Sequence, residues 1–184
     1  MQHVWLSAPS SPALRTFPAP YASEDREAQV QQDQRFIRLL DLYRSTGGLV
    51  RAEELVTLLQ RRGALALAAL PGWVLGGEVI CFEWQDTTWL PLFQFDAMGR
   101  VAAPQLGPVL AELNCIYDPW DTANWFVQPQ LWLDLRRPVD LLASDPLAVL
   151  NAARAERLAG AARERVARHL KHEPWIRAAA GREE

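Results

Sequence analysis

Between Arg62 and Arg100 the chain has no lysine or arginine, while Glu78, Glu83, Asp86 and Asp96 all fall in that interval. A stretch so charged cannot supply the phosphate contacts on which nucleic-acid affinity rests. Histidine is also scarce, at three residues in 184, so most acid-base designs would have to use carboxylates alone. Cysteine is limited to Cys81 and Cys115, with no Cys-x-x-Cys spacing, a usage that fits a reducing compartment. No apolar run approaches the roughly 20 residues that a bilayer span requires. The first residues, where Arg15 is the only early cation and prolines interrupt every apolar stretch, do not read as a signal peptide. A cytoplasmic location is expected. Glycine-rich phosphate loops, GxSxG and HExxH are missing as well. No catalytic residue, metal or cofactor is therefore expected.

What is present suffices for one ordinary domain or two small modules sharing a core: 49% of residues are hydrophobic and 22% charged, with a net charge of −3. Residues 1–22 hold Pro9, Pro12, Pro18 and Pro20 and are expected to form a flexible arm. Ser23 is a candidate N-cap for a helix that turns Phe36, Ile37, Leu40 and Tyr43 inward and ends at Gly47-Gly48. A second helix is expected from about Ala52 to Arg62, with Leu55, Val56, Leu58 and Leu59 facing inward. The uncharged run Ala64 to Leu75 contains Pro71-Gly72 and is expected to be kinked or split there. VICFEW (Val79 to Trp84) and TWLPLFQF (Thr88 to Phe95), joined by Gln-Asp-Thr, predict a β-hairpin, with Pro91 suggesting an edge strand.

Beyond Gly99 the pattern returns to helices. Asp118-Pro119-Trp120-Asp121 combines an N-cap residue, proline at the first helical position and an acid in the first turn. Pro129 should close that helix, and Ser144-Asp145-Pro146 should open the last one. The pairs Asp118/Asp121 and His169/His172 have spacings that a carboxylate pair or a metal site would use. Capping and a basic helical face explain them more simply.

Eight tryptophans are more than a core of this size needs, and aromatic groups on a surface mark binding sites. Trp84 and Trp120 are expected in the core. Trp125, Phe126 and Trp132 crowd around Pro129 in WFVQPQLWL and are candidate partner-binding residues.

The order of elements is that of a helix-turn-helix with a wing-like hairpin, followed by a helical unit. PLFQFD (Pro91 to Asp96), DPWDTANWFVQPQLWLDLRRPVDLL (Asp118 to Leu142) and SDPLAVLNAAR (Ser144 to Arg154) resemble the Xre/MbcA/ParS-type antitoxins. The resemblance covers roughly Ala52 to Ala155. It implies a mainly α fold with one small β-hairpin: a helix-turn-helix-like domain at 23–98, a toxin-binding-like domain at 99–155 and a helical tail at 156–184. It also implies a non-catalytic protein that forms homo-oligomers and covers the active site of a RES-domain, NAD-consuming toxin. Arg136 and Arg137 at the start of the second unit's later element, and Arg154, Arg157 and Arg165 on its final helix, become candidate toxin contacts.

Many members of that family read operator DNA with their first half. Here the would-be recognition helix is ALALAALPGWVLGG, which offers base edges no hydrogen bonds. A degenerate helix-turn-helix is expected. The alternative, a DNA-binding regulator, would have to use Arg44, Arg51, Arg61 and Arg62.

Overall fold

The computed structural model describes residues 21–62, 65–96 and 105–172. The expected arm lies outside the described residues as far as Pro20, and so does Trp175. The chain is mainly helical with one small antiparallel sheet. Seven α-helices are described: α1 (Tyr21–Tyr43), α2 (Ala52–Arg62), α3 (Leu65–Leu75), α4 (Leu106–Leu113), α5 (Pro119–Val127), α6 (Pro138–Leu141) and α7 (Pro146–His172). The strands are β1 (Leu49–Arg51), β2 (Phe82–Trp84) and β3 (Thr87–Pro91), in the spatial order β1, β3, β2.

Ser23 lies inside helix α1 rather than capping it. Phe36, Leu39 and Tyr43 are buried, whereas Ile37 and Leu40 are exposed. The buried face is thus rotated from the expected one, because Phe36 must reach Trp84, on which it stacks at 3.8 Å between ring centroids. After a short 3-10 turn the chain reverses at Gly47 and Gly48, with φ of 100° and 86°. These left-handed values cost glycine nothing. The reversal delivers β1 against β3, in register Leu49 to Pro91 and Arg51 to Trp89.

The expected hairpin is present, but it is two strands of three. Its turn is Gln85-Asp86, both at positive φ (47° and 55°), the backbone that matches the twist of paired strands. Proline at position 91 had suggested an edge, yet β3 is the central strand. Pro91 is tolerated because it is the last residue of that strand, and the next ladder bond is donated by the N–H of Leu92 to the carbonyl of Gly48 at 3.0 Å.

Helix α3 is a single helix through Pro71, not a split one. It ends in a Schellman arrangement: Gly77, at φ 64°, donates to the carbonyl of Val74, and Glu78 donates to that of Trp73. Leu55 and Leu59 of α2, Leu70 of α3, Val79 and Leu90 form a small buried cluster over the sheet. A larger cluster joins Phe36, Leu39 and Tyr43 to Ile80, Phe82, Leu110, Phe126, Val149 and Ala153. The residues before and after Gly99 therefore contribute to a common core. Helix α7 runs unbroken across residue 155.

Candidate protein-binding surface

Helix α5 starts as its sequence dictates. Asp118 accepts a hydrogen bond from the N–H of Asp121 at 2.7 Å, with Pro119 at the first helical position. Asp121 in turn pairs with Arg35 of α1 at 2.7 Å. The two acids are thus a cap and an inter-helix tie. His169 lies on α7, and no group of three potential metal ligands occurs among the described residues.

The helix carries Trp125 and Phe126 into the core, where they are 4% and 0% exposed. Their assignment to a partner surface is corrected: they pack edge to face at 5.2 Å, and Phe126 also meets Phe93. Sequence crowding around Pro129 had suggested accessibility. The helix instead ends at Val127, so both rings still belong to its buried side.

The chain leaves α5 through Pro129 and enters a compact loop. A 3-10 turn at Leu131–Leu133 is followed by Asp134 and Leu135 at φ 53° and 62°. Gln130 fastens its base. The Gln130 N–H donates to the carbonyl of Arg136, its own carbonyl accepts from the N–H groups of Leu133 and Leu135, and its side-chain amide donates to the carbonyl of Trp125. Leu133 is buried as the loop's anchor, while Leu131, Trp132 and Leu135 are 82%, 56% and 63% exposed. A leucine in left-handed backbone costs about 1–2 kcal/mol, and such strain tends to concentrate where a chain presents side chains to a ligand.

Next to this apolar display stands Arg136, exposed, with its Nε donating to the carbonyl of Leu133 at 3.3 Å. Arg137 differs: it grips Asp140 with two bonds of 2.7 Å at the start of α6, and that pairing raises its pKa. On α7, Arg157 and Arg154 both bind Glu112 of α4, at 2.6 and 3.2 Å. Their hydrogen bonds, Arg157's first, hold the Glu112 carboxyl below its usual range. These two arginines tie α7 to α4 and keep one side open to solvent. Arg165 is exposed further along, with its Nε on the carbonyl of Ala161.

Of the arginines of the nucleic-acid alternative, Arg44 and Arg51 each have a local acidic partner. Arg44 pairs with Asp41 at the end of α1, and Arg51 lies over the Trp89 ring at 5.3 Å and reaches Glu54 at 4.0 Å. Arg61 sits at the far end of α2, roughly 15 Å along the axis from Arg51 at 1.5 Å per residue. The Arg62 side chain lies outside the described residues.

Sequence reasoning found Trp132 but missed Leu131 and Leu135. The available signal was LWLDL itself, an apolar run between Pro129 and Pro138 too short to bury itself as a helix. No family model, curated protein or solved structure matches the chain. No helix among the described residues is long and apolar enough to cross a membrane.

Proposed function

We propose that the chain is a non-catalytic protein-binding module that docks a partner on the loop of Leu131, Trp132, Leu135 and Arg136. The observation that carries this reading is the exposure of three large apolar side chains on a loop fastened by Gln130 and held in left-handed backbone. Aromatic and arginine residues are the side chains that most often dominate protein interfaces. In its specific form the partner is a RES-domain toxin whose NAD-consuming site the module covers, as the antitoxin resemblance implies.

The test is a titration of such a toxin with the chain and two variants by calorimetry. Trp132→Ala is expected to keep the thermal stability of the parent and lose at least tenfold in affinity. Trp125→Ala is expected to cost about 3–5 kcal/mol of stability, as burial of so large a ring demands. Absence of a complex at micromolar concentration sinks the toxin reading, and a Trp132→Ala variant that binds unchanged sinks the assignment of the loop.

Topology favours a second reading. Helix, strand, two helices and two strands, with β1 beside β3, is the order of a winged helix-turn-helix, whose third helix reads duplex DNA. Charge weighs against it: α3 carries no ionisable residue and ends on the exposed Leu75, and the hairpin tip holds Asp86. A mobility assay at low salt, where phosphate contacts are strongest, distinguishes the readings; a shifted duplex would favour the second.

A further inference from the structure

Val74 near the end of α3, Val79 and Ile80 ahead of the hairpin, and Leu110 of α4 form the apolar wall of a cavity of about 280 Å³. It lies on the seam where the chain before Gly99 meets α4 and α5, the kind of junction at which ligand sites recur. A cavity of roughly 150 Å³ with aliphatic and aromatic walls takes up benzene. This one has room for a molecule of two fused rings.

The wall contains no lysine, arginine, aspartate or glutamate. Cys81 and Tyr117 complete it, and both are neutral at pH 7: burial pushes the Cys81 thiol up, helped by the charge of Glu83, and burial with a bond to Glu156 pushes the Tyr117 phenol up to about 12. A charged ligand would therefore leave water without a counter-charge, which is costly. The Tyr117 hydroxyl is already used, since it donates to Glu156 at 2.8 Å.

Thr122, one turn into α5, selects among neutral ligands. It stands in the cavity wall, is 2% exposed, and its hydroxyl has no hydrogen-bond partner. A threonine inside a helix ordinarily turns its hydroxyl back to the carbonyl four residues earlier. Here that carbonyl belongs to Asp118 and accepts the N–H of Thr122 at 2.9 Å, but the hydroxyl makes no bond to it. A buried hydroxyl without a partner destabilises a fold, and valine would fill the same space without that cost. Helical threonine has two accessible rotamers, so the hydroxyl can turn to a ligand with no movement of the backbone.

We propose that this cavity binds a small uncharged molecule with an apolar body and one hydroxyl, of the size of a two-ring phenol, and that Thr122 is its hydrogen-bond partner. Such a ligand touches α3 on one side of the seam and α4 and α5 on the other. Binding only the folded chain, it raises the melting temperature. The assignment does not rest on the partner reading of the Leu131–Leu135 loop, whose residues do not line the cavity.

2-Naphthol is the probe, and Cys115→Ser leaves Cys81 as the single thiol of the chain. Saturating 2-naphthol is expected to raise the melting temperature and to slow modification of Cys81 by N-ethylmaleimide at least tenfold. 2-Naphthoate, the same rings with a carboxylate, is expected to do neither. Thr122→Val is expected to melt at or above the parent temperature and, by calorimetry, to bind 2-naphthol at least fivefold more weakly; a purely structural hydroxyl would lower the melting temperature on removal and leave affinity unchanged. Should Thr122→Val unfold, Val74→Phe replaces it, fills the cavity from α3 and is expected to abolish protection of Cys81. Absence of 2-naphthol binding at millimolar concentration, equal binding of 2-naphthoate, or unchanged affinity in Thr122→Val would overturn the proposal.

Discussion

The Tyr43 hydroxyl donates to the carbonyl of Ala123 at 2.6 Å, linking the last residue of α1 to the middle of α5. The residues are 80 apart in sequence, and Tyr43 is fully buried. Burial alone pushes its phenol pKa well above the usual 10.0, so the group stays a donor at any working pH.

Tyr43→Phe keeps the ring contacts with Phe93 and removes the donor. It is expected to lower stability by about 1–2 kcal/mol, the cost of leaving a buried carbonyl with a lost partner. Urea denaturation reads this as a lower midpoint at unchanged slope. Unchanged stability would mean that the bond offers no advantage over its loss.

Gln94 is wholly buried and acts as a piece of strand. Its side-chain oxygen accepts from the Ile80 N–H at 2.8 Å and its side-chain nitrogen donates to the Ile80 carbonyl at 2.9 Å. Gln94→Leu fills similar space but orphans both backbone groups, and is expected to cost about 2–5 kcal/mol. Gln94→Glu should be tolerated better at low pH, where a protonated carboxyl can still donate. Equal melting of Gln94→Leu and the parent would refute this role.

Leu135 sits at φ 62°, a value glycine adopts without penalty. Leu135→Gly is expected to leave stability unchanged or raise it by up to about 1 kcal/mol, whereas Leu135→Val, branched at Cβ, should lower it. The measurement is thermal melting of both variants. If glycine proved as harmful as valine, the exposed leucine would be contributing packing that the fold does not suggest.

Glu112 gives the contact between α4 and α7 a pH dependence. Its carboxyl is held below the usual 4.5 by hydrogen bonds from Arg157 and Arg154. A depressed folded pKa contributes stability that is fully present above the ordinary value and is lost as pH falls through the lowered one. The gap in melting temperature between the parent and Glu112→Gln should therefore be largest near pH 7 and shrink below pH 4.5. A gap constant from pH 7 to pH 3 would show that the paired charges add nothing.

Local signals were legible where a single turn of chain contains its own cause. Asp118-Pro119 opens α5, Pro129 follows its end, Gly47-Gly48 reverses the chain, and the Gln85-Asp86 hairpin lies between its two aromatic runs. Strand β1 was not legible, because three residues between a glycine pair and a helix show no period; it exists only through pairing with β3. The partner-facing residues were half legible. Trp132 stood out by type, but type alone could not separate it from Trp125, seven positions earlier in the same segment.

Sequence by itself determined the starts of α5 and α7, the turns at Gly47-Gly48 and Gln85-Asp86, and the missing positive charge across residues 63–99, since capping, glycine dihedrals and net charge are properties of neighbours along the chain. Tertiary structure decided which face of α1 is buried, that β3 is central, that Gln94 completes a strand, and that Leu131, Trp132 and Leu135 remain outside while Trp125 and Phe126 do not. Those outcomes depend on which groups from distant parts of the chain arrive to exclude water. Arg154 and Arg157 make the same point: their partner, Glu112, lies more than forty residues away.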